Sequence, residues 1–116
     1  VVDDEPHVRE VTTRMLKHLG CCVTNTSSGT EALALLENPG HAFDVVFLDL
    51  SMPIQSGPST LRAIRHQHTS ITVILMSGFE ESHSAEQIGD ARIDGFLRKP
   101  FGIEALGAKL KSVVGH

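Results

Sequence analysis

Hydrophobic positions along this chain fall into two alternating spacings. Val8, Val11, Met15, Leu16 and Leu19 recur at helical intervals, and Pro6 stands where a first helical turn tolerates it. Gly20 predicts the stop. Cys22 to Thr26 reads as a short strand. Ser28-Gly29-Thr30-Glu31 predicts the start of a second helix carrying Ala32, Leu33 and Leu36, which Asn38-Pro39-Gly40 ends. Val45 to Leu48 and Ile71 to Met76 are unbroken apolar runs, the pattern of strands covered on both faces. Between them Ser59 to His66 is helical, with Leu61 and Ile64 facing in. Glu81 to Ala91 reads as a weaker helix, interrupted by Gly89. Phe96-Leu97 predicts a last strand, and Ile103, Leu106, Leu110, Val113 and Val114 mark a last helix. With Val1-Val2 as an opening strand the order is βαβαβαβαβα. Such alternation predicts an α/β fold: a parallel sheet, helices on both faces and right-handed crossovers.

Composition narrows this to one domain. The chain has 116 residues, 41% of them hydrophobic, enough for a real core, with no internal repeat or linker. A formal charge of -4 and scattered basic residues argue against direct nucleic-acid binding. No stretch has the length of a membrane span and none reads as a signal peptide, so a cytoplasmic domain with no membrane contact is expected. Lacking an initial Met and opening on so short a strand, the chain reads as one domain, 1–116, cut from a longer protein. Cys21 and Cys22 are adjacent and read as small buried strand residues in a reducing compartment rather than a bridge. The histidines have no zinc-site spacing, and Gly57-Pro58-Ser59-Thr60 lacks the lysine of a phosphate-binding loop.

The chemistry sits where apolar runs end. Asp3 and Asp4 follow Val1-Val2, Asp49 follows Val45 to Leu48, Ser77 follows Ile71 to Met76, and Lys99 follows Phe96-Leu97-Arg98. Ligands of parallel sheets bind at the carboxyl ends of the strands. Three carboxylates gathered there repel, and a hard divalent cation is the natural counter-charge. Asp49 leaves the middle strand and is the best placed nucleophile; a carboxylate can attack phosphorus and hold an acyl phosphate. Magnesium held by Asp4 and Asp49, with Asp3 acting through water and the Ser51 carbonyl completing the shell, would bridge the oxygens. Lys99 and Ser77 would meet the remaining phosphoryl oxygens. Blander readings stand beside these. Asp3 and Asp4 also suit a helix cap, Asp49 a solvated strand end, Ser77 a turn, Lys99 the surface and Phe96 plain core.

The set Val1-Val2-Asp3-Asp4-Glu5-Pro6, Phe47-Leu48-Asp49-Leu50-Ser51-Met52-Pro53, Gly57, Met76-Ser77-Gly78 and Leu97-Arg98-Lys99-Pro100-Phe101 resembles the receiver domain of two-component response regulators. The resemblance spans nearly the whole chain. It implies a flavodoxin-like (βα)5 three-layer sandwich with a five-stranded parallel sheet of order 2-1-3-4-5. It implies a phosphorelay switch with Asp49 as phosphoacceptor, Asp3 and Asp4 as the Mg2+ pair, Lys99 on the phosphoryl group and Ser77 turning toward it. Phe96 takes an aromatic switch position that is tyrosine in many relatives, and the Lys99-Pro100 peptide is expected cis. The implied partner is a sensor histidine kinase or a histidine phosphotransfer protein, with a homodimer through the fourth-helix and fifth-strand face as a further expectation. Such a domain catalyses only its own phosphorylation and dephosphorylation. The sequence style resembles receivers fused to hybrid histidine kinases. Two alternatives remain. An aspartate-nucleophile phosphohydrolase would place a second acid where Ser51 stands. A pseudo-receiver working by binding alone would not need the complete acid, hydroxyl and lysine set.

Overall fold

The computed structural model describes residues 1–38, 43–50, 57–67, 71–78 and 93–114. Helix α1 spans Pro6–His18, with Pro6 in its first turn. It ends in a Schellman turn: the Cys21 N–H donates to Leu16 O (3.0 Å) and the Gly20 N–H to Lys17 O (3.0 Å). Gly20 takes φ 94°, a conformation that other residues rarely adopt, which is why a glycine stops this helix. Helix α2 spans Gly29–Glu37 and is capped by Ser28, whose Oγ accepts the Glu31 N–H at 3.2 Å. Strand β1 is Val45–Asp49, helix α3 Gly57–Gln67, strand β2 Thr72–Ser77, strand β3 Gly95–Arg98 and helix α4 Ile103–Val114. The expected helix over 81–91 lies outside the described residues.

Strands β1, β2 and β3 are adjacent and parallel, with Asp49 opposite Met76 and Ser77 opposite Arg98. Val2 forms parallel bridges to Leu48 on one side and Thr26 on the other. Across the sheet the segments therefore run Thr26, Val2, β1, β2, β3, which is the order 2-1-3-4-5 in chain sequence. The first two segments in that order, at Thr26 and Val2, differ from expectation: they contribute bridges rather than full strands. Only Val1 to Asp3 meets the Thr24–Thr26 backbone, through Thr26 N–H to Val1 O (2.9 Å) and Asp3 N–H to Thr26 O (3.2 Å). Without a partner over Cys22 and Val23 the ladder does not extend. Correspondingly Cys22 is exposed and Cys21 half-buried, so neither is the buried strand residue the sequence suggests; both are free thiols.

Period-two alternation sorts the strand side chains onto two cores. Val46, Leu48, Leu50, Val73 and Leu75 pack with Ala32, Leu36, Leu61 and Ile64 on the α2 and α3 side. Phe47, Ile74, Met76 and Leu97 pack with Leu16 and Leu106 on the α1 and α4 side. The sheet is thus the middle of three layers, and each fully buried Leu or Ile contributes roughly 1.5–3 kcal/mol. Helix α1 corrects one reading. It buries Thr12, Thr13 and Leu16, while Val11 and Leu19 are exposed. The apolar stripe read from spacing is rotated off the true inner face, because threonine methyls fill part of it.

At the amino end of the sheet an ion pair replaces apolar packing. Arg65 of α3 reaches Asp94, just before β3, at 2.8 Å and donates to Ile71 O at 2.6 Å. The same Asp94 oxygen accepts the Val73 N–H at 2.8 Å. One carboxylate thereby ties α3, β2 and β3 together. Asp94→Ala should cost about 1–3 kcal/mol in urea unfolding, since it removes the acceptor of the Val73 N–H and the counter-charge of Arg65. Glu10→Ala, which breaks the exposed Glu10–Arg14 pair on α1, should change stability by less than about 0.5 kcal/mol.

Helix α4 offers the opposite kind of change. A Cβ added at Gly107 would lie 3.4 Å from Leu19 Cδ2, an exposed side chain able to yield. Gly107→Ala should stabilise the domain by about 0.5–1 kcal/mol through helix propensity, read as a higher thermal midpoint by circular dichroism.

Candidate functional site

The carboxyl ends of the strands carry the charge. Asp3 follows Val2, Asp49 ends β1, Ser77 ends β2 and Lys99 follows β3. The parallel register makes these ends coincide. Lys99 is drawn in by its own backbone, whose N–H donates to Ser77 O at 2.7 Å. The Lys99-Pro100 peptide is cis.

Lys99 sits between two buried carboxylates. Its Nζ is 2.9 Å from Asp3 Oδ2 and 3.2 Å from Asp49 Oδ1. Burial pulls the ammonium down, but the hydrogen bond to Asp3 and the charges of Asp49 and Asp3 outweigh it, so Lys99 is held above its ordinary 10.5. Asp3 does two jobs at once. Its Oδ2 takes Lys99, and its Oδ1 accepts the Glu5 N–H at 3.0 Å, fixing the turn into α1. Asp3 thus closes the turn ahead of α1 without being its cap: the capping position is Glu5, with no side-chain cap bond.

Asp4 completes the group from the exposed side. One carboxylate oxygen from each of Asp3, Asp4 and Asp49 lies within 4.8 Å of the others. Three carboxylates against one ammonium leave a formal charge of -2 (-3 + 1). An all-oxygen donor set with that surplus suits a hard divalent cation such as Mg2+, which binds through one or two carboxylates and keeps waters. The donors present thus fit the ion that the sequence calls for. A cavity of about 890 Å³ lies elsewhere, toward the amino ends of the strands, among Val1, Cys21, Val23, Phe43, Val45 and Leu110. Its apolar walls hold nothing of this chemistry.

Of the residues named from sequence, Asp3, Asp4, Asp49 and Lys99 come together, with Ser77 buried at the neighbouring strand end. Phe96 lies further back, opposite Leu75, half-buried against the α2 and α3 core. Ser51 lies outside the described residues, as does Phe79. One participant went unread: Arg9, whose Nη1 donates to the Asp3 carbonyl at 2.8 Å. Nothing in the sequence separates it from the other cations of α1.

Known proteins resemble this chain in sequence and in fold. The family model for the response regulator receiver domain matches residues 1–111. The chain is 37% identical to sensor kinase CckA of Brucella abortus over 115 residues, 98% of this chain and 12% of that protein. It is 36% identical to the transcriptional regulatory protein KdpE of Mycobacterium tuberculosis, over 98% of this chain and 49% of that one. The chain thus spans half or less of these curated relatives. Among solved structures, chemotaxis response regulator CheY4 of Vibrio cholerae superposes with a TM-score of 0.87 at 27% identity, covering 97% of this chain and 93% of that one. The receiver domain of sensor histidine kinase PA1611 from Pseudomonas aeruginosa, described with a magnesium ion coordinated in its active site cleft, gives 0.88 at 27% identity, covering 99% and 94%. Sequence match, flavodoxin-like sheet and the acid-lysine rim agree: the chain belongs to the response regulator receiver domain family of two-component signalling.

Proposed function

We propose that Asp49 accepts a phosphoryl group from a phosphohistidine donor, a sensor histidine kinase or a histidine phosphotransfer protein, and that this is the domain's signalling event. The observation that carries the proposal is Lys99 bonded to both Asp3 and Asp49 at a rim that Asp4 also reaches. In the transfer an Asp49 oxygen bonds to phosphorus as the donor N–P bond breaks, and the electron pair returns to the imidazole, which takes up a proton. Asp3, Asp4 and Asp49 would hold Mg2+, which would supply the charge neutralisation that an anionic phosphoryl group needs at this rim. Lys99 supplies a fixed positive charge to an arriving anion and costs little reorganisation, because it is already in place. In this proposal Ser77 turns its hydroxyl toward the phosphoryl group from the next strand, and Phe96, two residues before Arg98, follows that turn by packing alone. The reaction is the domain's own phosphorylation and dephosphorylation, with Ser51 contributing its carbonyl to the metal. The magnesium-bearing receiver of the Pseudomonas kinase supports this reading. So does the relation to CckA, which favours a hybrid kinase as parent. Among the described residues no helix is long and apolar enough to cross a membrane, in keeping with a cytoplasmic setting. A homodimer through the face of the expected fourth helix and β3 is part of the same proposal.

Incubation with acetyl phosphate and Mg2+, read by intact mass, should add one phosphoryl group to the parent chain and none to Asp49→Asn. A labelled variant would count against Asp49, and an unlabelled parent would favour a binding-only receiver.

Lys99 also makes a stability prediction. Folding raises its pKa, so its contribution is complete below 10.5 and is lost as pH rises through the higher folded value. Lys99→Met should lower urea stability at neutral pH by about 1–3 kcal/mol, less than for a fully buried pair because Lys99 is 20% exposed. The gap between parent and variant should narrow above 10.5, where the parent loses its own ammonium charge. A gap that stays constant through that range would show that Lys99 acts by packing rather than charge.

A further inference from the structure

Asp3 has every polar group committed. Its N–H donates to Thr26 O (3.2 Å), Oδ1 accepts from the Glu5 N–H (3.0 Å), Oδ2 accepts from Lys99 (2.9 Å), and its carbonyl accepts from Arg9 Nη1 (2.8 Å). Asp4 is the reverse case: exposed, and among the described residues its carboxylate makes no hydrogen bond or ion pair. Nothing on the side chain fixes where Asp4 points, so the backbone must. The peptide plane joining Asp3 to Asp4 carries the carbonyl that Arg9 holds. Rotating that plane would swing the Asp4 Cα–Cβ bond away from Asp3 and Asp49.

We propose that Arg9 is a positioning residue for the cation site, locking the Asp3–Asp4 peptide so that the Asp4 carboxylate meets the others. This rests on the reading of Asp3, Asp4 and Asp49 as the cation ligands. Arg9 is suited to the task. It leaves the second turn of α1, whose start is pinned by its own N–H to Glu5 O at 3.0 Å, so the guanidinium extends from a rigid element. A planar, directional guanidinium fixes a carbonyl better than a compact ammonium does. Partners that orient ligands in this way typically govern metal affinity by 10–100-fold.

Charge and geometry make opposite predictions for Arg9, which gives a clean test. If Arg9 acted only as a nearby positive charge, removing it would tighten Mg2+ binding. If it positions Asp4, removing it weakens binding. Mg2+ affinity is read from the rise in thermal midpoint with Mg2+ concentration, followed by circular dichroism. Arg9→Met should bind Mg2+ about tenfold or more weakly, with Arg9→Lys in between and the midpoint without Mg2+ little changed. The Mg2+ concentration for half-maximal acetyl phosphate labelling should rise in step, while the rate at saturating Mg2+ holds. Unchanged or tighter binding by Arg9→Met, beside a parent that binds, would overturn the role of Arg9 alone. A parent indifferent to Mg2+ would overturn the cation site and this role with it. If Arg9→Met does not fold, Arg9→Lys decides: about threefold weaker binding upholds the proposal and parental affinity refutes it.

Discussion

Two buried carboxylates on neighbouring strand ends repel each other, and Lys99 is the cation that stands between them. This one contact joins residues 96 positions apart, Asp3 and Lys99, and holds the first and last segments of the sheet to the middle one. It also explains why the chain turns as it does after β3: the Lys99 N–H bonds to Ser77 O, which aims the side chain back across the rim rather than out into solvent. A single ammonium shared by two acids and faced by a third leaves the rim short of positive charge. The fold thereby holds an incompletely neutralised site, whose surplus negative charge favours a further cation.

The sheet makes that arrangement possible by being apolar everywhere else. β1 and β2 are buried on both faces, so their polar residues are confined to their ends. At the carboxyl end those residues build the acid and lysine cluster. At the amino end Asp94 and Arg65 do structural work, using one carboxylate oxygen to satisfy both a guanidinium and the Val73 N–H. The two ends thus use similar residue types for different purposes. What separates them is bond supply. Asp94 has donors for its charge from neighbouring backbone and side chain, whereas the acids at the other end outnumber their cation.

Much of this was legible in the chain because it follows from local pattern. Unbroken apolar runs ending in Asp49 and Ser77 gave strands covered on both faces, and the order of acids, hydroxyl and lysine gave the rim. Ser28 and Gly20 marked helix ends by chemistry that operates within a few residues. The misses share a different cause. Val11 and Leu19 looked inward because spacing reports a helix face but not which neighbour covers it, and Thr12 and Thr13 took the inner positions. Arg9, Arg65 and Asp94 act through contacts fixed only once the layers stack, and a solvated arginine has the same local sequence as a bonded one. The segment before Thr26 had strand composition but too little partner backbone to form a ladder.

Asp3 shows how one acid can serve a turn and a charge cluster at once. A carboxylate has two oxygens, and here one closes the turn ahead of α1 while the other takes the lysine. Tying both oxygens down fixes Asp3 as the immobile member of the trio, able to shape the field of the site but poorly placed to move with a ligand. Asp4, exposed beside it, faces water. The division gives the rim one acid anchored through its side chain and one placed by its backbone, next to Asp49, which ends a strand. Helix α1 begins at this same turn, so whatever steadies the start of that helix also steadies the acids that precede it.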